Sequence, residues 1–187
     1  MLTEDYFIRY INWMLAAVAK IFGLRTAGQF QEAALEIQQL LEELFHLGYT
    51  IIEDMDDQDL LALLENEDVL DIPRALFAAD IFFEKGKLYQ SWDSPRQAQK
   101  SYHRALLFYT ESAITGIPAQ FPSPQEKVEE ILRILQGTQI PDHLLAGLYR
   151  YYEICGSYHK AEQALLELAA IPEWKTEVPT EQKSFYQ

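Results

Sequence analysis

Three short stretches of this 187-residue chain share one arrangement, and it restricts the fold more than any other feature. Each starts at a turn residue (Gly28, Asp93 or Gly156) and runs into an alanine: Ala33, Ala98 or Ala161. A larger residue stands four positions on (Ile37, Tyr102, Leu165), and a small or apolar one stands at seven (Leu40, Ala105, Leu168). Offsets of four and seven put three side chains on one stripe of an α-helix. The small residue at its head lets a neighbouring helix come close. Each stretch therefore reads as the second helix of a helical hairpin. The alanines stand 65 and 63 residues apart. That interval is close to twice the length of one hairpin repeat, so a spacer helix is expected between successive hairpins.

Local signals place the remaining helices. Thr3, ahead of Glu4 and Asp5, is positioned to cap a first helix reaching about Gly23. Gly28 turns the chain into a second, about Gln29 to His46, striped by Phe30, Ala33, Ile37, Leu40, Leu41 and Leu44 and closed by Gly48. A short helix over roughly Gln58 to Asn66 follows the acidic run Glu53 to Asp59. Asp71 with Pro73 opens a helix to about Ser91, because proline fits a first turn. Ser94-Pro95-Arg96-Gln97 reads as a capping box for a helix ending near Gly116. Ser123-Pro124-Gln125-Glu126 repeats the signal for a helix ended by Gly137. Ile140-Pro141-Asp142 leads into a helix to Cys155, and Ser157 caps the last, which stops before Pro172. No stretch alternates as a strand bounded by hairpin turns. The expectation is an all-α fold of about eight helices in irregular antiparallel hairpins, an α-solenoid. It forms a single domain over residues 1–174, followed by a flexible tail at 175–187.

Charge narrows the partners. The net charge is −14, and it is unevenly placed: between Thr26 and Pro73 there is no Lys or Arg but thirteen acids, while the rest carries sixteen acids against fifteen bases. Such a field repels nucleic-acid phosphate and anionic membrane surfaces. It is read as a solvated face, with a docking surface for something basic as the functional alternative. The apolar run Tyr6 to Leu24 is broken by Arg9, Asn12 and Lys20 and preceded by Glu4 and Asp5. It is expected to be a largely buried helix covered on two faces, not a membrane span or a signal peptide. With the single Cys155 excluding an internal disulfide, a cytoplasmic protein is expected.

The hairpins resemble tetratricopeptide repeats. In the second, Gly86-Lys87-Leu88-Tyr89 matches the Gly-x-x-Tyr of that repeat's first helix, with Ala98, Tyr102 and Ala105 at the second helix's signature positions. In the third, Leu148, Tyr152, Gly156, Tyr158 and Ala161 match, while Tyr149 stands where glycine is usual; in the first, Gly28, Phe30, Ala33 and Ile37 match. From about Asp5 to Leu168 the chain also resembles a bacterial family classed as a domain of unknown function. The shared features are Asp5, Tyr6, Arg9 and Ile11, the acidic leucine run Asp59 to Leu64, and Tyr151 to Glu162. The resemblances imply a helical-repeat fold in a bacterial cytoplasm and bring no activity with them.

Constellations that carry chemistry are sparse. Asp54, Asp56, Gln58 and Glu65 have calcium-loop spacing, yet Asp59 stands where the turn needs glycine, so capping acids ahead of a helix explain them better. Glu43 and His46 lie three apart, but a carboxylate-bridged metal site needs a second such pair and two more glutamates; His159 and Glu162 run in the reverse order. Arg96, Lys100 and Arg104 recur at intervals of four, a basic stripe read as a solvated convex face rather than a nucleic-acid footprint. No cofactor, metal or catalytic residue is expected. The reading is a non-catalytic scaffold for a protein or peptide. Its alternatives are a homo-oligomer joined through the acidic third and the basic stripe, or a metal-dependent enzyme in a helical groove. In the repeats it resembles, first helices line the inner groove. That assigns Arg25, then Asp80, Phe83, Glu84, Lys87 and Gln90, then His143, Arg150 and Glu153 to a peptide-binding groove.

Overall fold

A stripe recurring every 3.6 residues needs a second helix to cover it, and a short connection lets the chain supply that helix itself. The computed structural model describes residues 2–67 and 69–171, with side chains from residue 8 onward except that of residue 10. Among these residues are nine α-helices and one two-stranded hairpin, so the fold is all-α. Contacts gather the chain into two compact units, Met1–Tyr109 and Thr110–Gln187, where the sequence suggested one domain over 1–174. The boundary falls inside a continuous helix, and the tail expected at 175–187 lies outside the described residues.

In the first unit, α1 (Leu2–Thr26) packs on α2 (Phe30–Phe45) and on α5 (Ile72–Ser91), and α6 (Pro95–Thr115) returns along α5. The Phe82 and Phe108 rings stack at 5.8 Å, with Phe45 of α2 beside both. Phe83 meets Tyr102 edge-on at 6.1 Å. Gly86 faces that same tyrosine so closely that an added Cβ would lie 2.6 Å from the ring. All nine stripe positions are buried, including Ala33, Ile37 and Leu40 on α2 and Ala98, Tyr102 and Ala105 on α6.

The connection between α2 and α5 differs from the sequence reading. His46, at φ 55°, makes the left-handed close of α2 that was assigned to Gly48. Gly48 instead precedes α3 (Tyr49–Asp54), a helix too short to reveal itself by periodicity. Asp56 caps α4 (Asp57–Ala62), its side chain accepting from the Gln58 N–H at 2.9 Å, so this acid caps a helix as expected. A hairpin of β1 (Glu65–Asn66) and β2 (Val69–Leu70) follows, two residues a strand and below the length at which alternation is legible. Asp71 then accepts from the Arg74 N–H at 3.2 Å, opening α5 with proline in its first turn. At the expected capping box the Ser94 hydroxyl donates to the Trp92 carbonyl at 3.3 Å.

In the second unit the end of α6 is followed by α7 (Gln125–Ile134), α8 (Asp142–Ile154) and α9 (Tyr158–Ala169). Helices α8 and α9 form the hairpin, buried along Ala161, Leu165 and Leu168. Gly156 turns it at φ 68°, a conformation that side chains resist, and the Ser157 N–H donates to the Tyr152 carbonyl at 2.8 Å. Ser157 stands at the cap position, but its backbone carbonyl, not its hydroxyl, meets the helix N–H groups.

One helix departs from expectation. Met14, Ala17 and Ile21 of α1 are buried, whereas Ile8, Leu15 and Phe22 are exposed, so α1 is covered on one face and not on two. Among the described residues no helix is long and apolar enough to cross a membrane.

Candidate functional site

The nine residues assigned to a groove fall into separate settings. In the first unit, Arg25 Nε donates to Glu84 Oε2 at 3.0 Å, and its guanidinium lies over Phe22. Glu84 and Phe83 are buried, with Lys87 4.0 Å above the Phe83 ring, so neither is presented to a ligand as a groove would need. Asp80 accepts from the Tyr109 hydroxyl, and Gln90 Oε1 from the Tyr102 hydroxyl at 2.7 Å. Both therefore rivet α5 to α6. In the second unit, Arg150 reaches Glu111 at 3.3 Å. His143 lies 4.0 Å from Asp142, and Glu153 is half-buried. The first-unit residues thus pair with one another or with their own hairpin.

A denser polar centre lies where the acidic segment meets α5 and α6. Arg104 is 1% exposed. Its Nε donates to Asp57 Oδ1 at 2.8 Å, and its terminal nitrogens donate to the carbonyls of Ile52 (3.0 Å), Met55 (2.8 Å) and Glu53 (3.3 Å). These are carbonyls at the open end of α3, which lack partners within the helix. Lys100 also donates to the Glu53 carbonyl. Lys85, 2% exposed, donates to the Glu53 carboxylate inside a ring of Tyr49, Phe82 and Tyr89. Burial brings Lys85 down to about 8 despite the nearby Glu53 carboxylate, and burial likewise raises the Tyr49 phenol. Desolvation wins over pairing because the ammonium loses nearly all its water for one carboxylate.

This corrects the reading of the basic stripe. Arg96 is exposed, but Arg104 is buried and Lys100 is tied to Glu53. Lys100 and Arg104 of the stripe thus clamp part of the acidic third, and of its three residues Arg104 is withdrawn from solvent. Sequence reasoning missed the clamp, although a signal existed: Arg104 directly precedes the apolar run Ala105 to Tyr109, and Lys85 comes soon after Phe82 and Phe83.

The second unit contains a cavity of about 360 Å³ between α7, α8 and α9. Leu132, Leu135, Ile140, Leu145 and Leu148 supply apolar walls, while Glu129, Gln136, Lys160, Gln163 and Glu167 supply polar groups. Lys160 donates to Glu129 Oε1 at 2.6 Å and lies 5.4 Å from the centre of the Tyr152 ring. Burial first, then the Glu129 carboxylate, raises the Tyr152 phenol.

No protein-family model, curated protein or solved structure matches this chain. Glu43 and His46 are both exposed near the end of α2. Among the described residues no three His, Cys, Asp or Glu side chains are grouped to hold a metal. The arrangement in hand is an apolar recess with a polar rim, which suits binding.

Proposed function

We propose that this protein is a non-catalytic scaffold of tetratricopeptide-like type, acting in a bacterial cytoplasm, that binds an extended or helical segment of another protein. The observation carrying this reading is the recess between α7, α8 and α9. At about 360 Å³ it sits at the low end of small-molecule sites and has room for one or two apolar side chains. The Lys160–Glu129 pair and Gln163 stand at its polar side, where they can meet the backbone of a bound segment. The polar pairs that occupy α5 move the proposed site away from Asp80, Phe83, Glu84 and Gln90.

The test is Ala164→Phe, which puts a ring into the recess from a position that already lines it. Partners captured by the wild-type protein should be lost, with an affinity drop of roughly thirtyfold for one anchor residue worth about 2 kcal/mol. Helicity and melting temperature are measured alongside. Full capture by a folded variant refutes the recess as the site.

A further inference from the structure

We propose that the outer face of α1 is a self-association surface that pairs with α1 of a second copy in antiparallel orientation. Ile8, Leu15 and Phe22 are 55%, 56% and 51% exposed, and the half-buried Ile11 and Val18 stand between them. Together they alternate spacings of four and three along one line of the helix, the spacing of a two-helix seam. A helix that only covered its own core would need the Met14, Ala17 and Ile21 line alone.

Three observations choose a second copy as the occupant. Four of its residues are placed symmetrically: Leu15 and Val18 flank one point, and Ile11 and Phe22 stand four residues further out on either side, which leaves Ile8 opposite position 25 of the other copy. A two-fold axis at that point stacks Leu15 on Val18 of the second copy and Ile11 on its Phe22, so one patch complements itself as an isologous interface requires. The flank is also compatible: Asn12, Ala16, Ala19 and Gly23 are exposed and uncharged beside the line, so another helix can come close on that side, while Arg25 at the end of the line keeps its bond to Glu84. The area suffices as well. Five such side chains and their small neighbours offer on the order of 500 Å² per copy, or about 1,000 Å² in the pair, the threshold for a specific interface of modest affinity.

Charge predicts how such a dimer behaves. Two copies of net charge −14 repel, and the seam is apolar, so added salt should tighten the pair by screening the repulsion. Pairing through opposite charges would weaken instead.

The test is the mass of the full chain by size exclusion with light scattering over a concentration series at low and high salt. Wild-type protein should move from monomer to dimer, with a larger dimer fraction at high salt. Leu15→Glu should weaken the association by about a hundredfold or more, since both copies would carry a charge into the seam. Its melting temperature as a monomer should be retained, and Leu15→Met should dimerise like wild type. In a Cys155→Ser background, a mixture of Ile11→Cys and Phe22→Cys chains should cross-link to each other, and neither alone to itself. Wild-type protein that stays monomeric, a Leu15→Glu dimer, or same-position cross-links would each overturn the proposal. So would a monomeric wild-type chain that floats with neutral phosphatidylcholine vesicles.

Discussion

The α5–α6 and α8–α9 hairpins carry the same stripe and use it differently. In α5–α6 the interior is filled: Gly86 admits the Tyr102 ring, Phe82 stacks on Phe108, and two hydroxyls are held by Asp80 and Gln90. In α8–α9 the stripe is equally buried, yet Lys160, Gln163 and Ala164, which flank it on α9, border an open recess. The stripe thus fixes how closely two helices approach. Whether the space beside them is closed depends on residues off the stripe, and a binding surface can arise only where it is left open.

The largest effect should come from the clamp on the α5–α6 hairpin. Arg104→Ala removes the donor to Asp57 and to the carbonyls of Ile52 and Met55, and should cost on the order of 3 kcal/mol. Asp57 and Glu53 keep partial contact with water, which holds the loss below that of a fully enclosed pair. Chemical denaturation measures it. A shift within experimental error would mean that α3 and α4 hold without α6.

Gly86→Ala comes next. The added methyl meets a tyrosine ring that is buried and anchored through its hydroxyl, so overpacking should cost about 1–3 kcal/mol. An unchanged midpoint would show that the α5–α6 hairpin is as loose as α8–α9.

Stability should also depend on pH through Lys85. Its folded value, about 8, lies below the ordinary 10.5. Below about pH 8 it is charged in both states and contributes no slope. Between there and 10.5 the unfolded chain binds a proton that the native state does not, so stability should rise by up to about 1.4 kcal/mol per pH unit. Above 10, Tyr49, Tyr151 and Tyr152 work in the opposite sense, because their raised values keep them protonated in the fold after the unfolded chain has released its protons. A stability maximum in the alkaline range follows. Glu53, Tyr49, Tyr89, Arg104 and Lys100 surround the lysine, and Lys85→Met should abolish the rise while leaving the alkaline fall. A flat profile from pH 8 to 10 in the wild type would place Lys85 in water.

The helices were legible because their cues are local. Asp71 and Pro73 placed the start of α5, and offsets of four and seven named nine residues that are all buried. What escaped was set by contacts distant in sequence. Arg104 reaches α3 and α4 across about fifty residues, and neither the six-residue α3 nor the two-residue strands carry enough periods to register. The recess was illegible for a related reason: Leu132, Leu148 and Ala164 come from three helices, and a gap is a property of how they meet. The exposed line on α1 was in the sequence throughout, but an apolar helix reads the same whether a neighbour covers it or not.

The smallest effect isolates the comparison most cleanly. Gly147 stands in the interior of α8 as Gly86 stands in α5, and both are buried. A Cβ on Gly147 would meet Glu111 Oε1 at 3.5 Å and Thr110 Oγ1 at 3.6 Å, which is ordinary contact with no ring to displace. The helical preference of alanine over glycine is then unopposed, and Gly147→Ala should stabilise the protein by about 0.5–1 kcal/mol. The same substitution should therefore change sign between the two hairpins, a difference that backbone propensity alone cannot produce. Glu111 also pairs with Arg150, so Arg150→Ala in both backgrounds separates the methyl's own effect from any disturbance of that pair. If Gly147→Ala destabilises as much as Gly86→Ala, the second unit is packed as tightly around its first helix as α5 is, and the contrast between a closed and an open hairpin fails at this point.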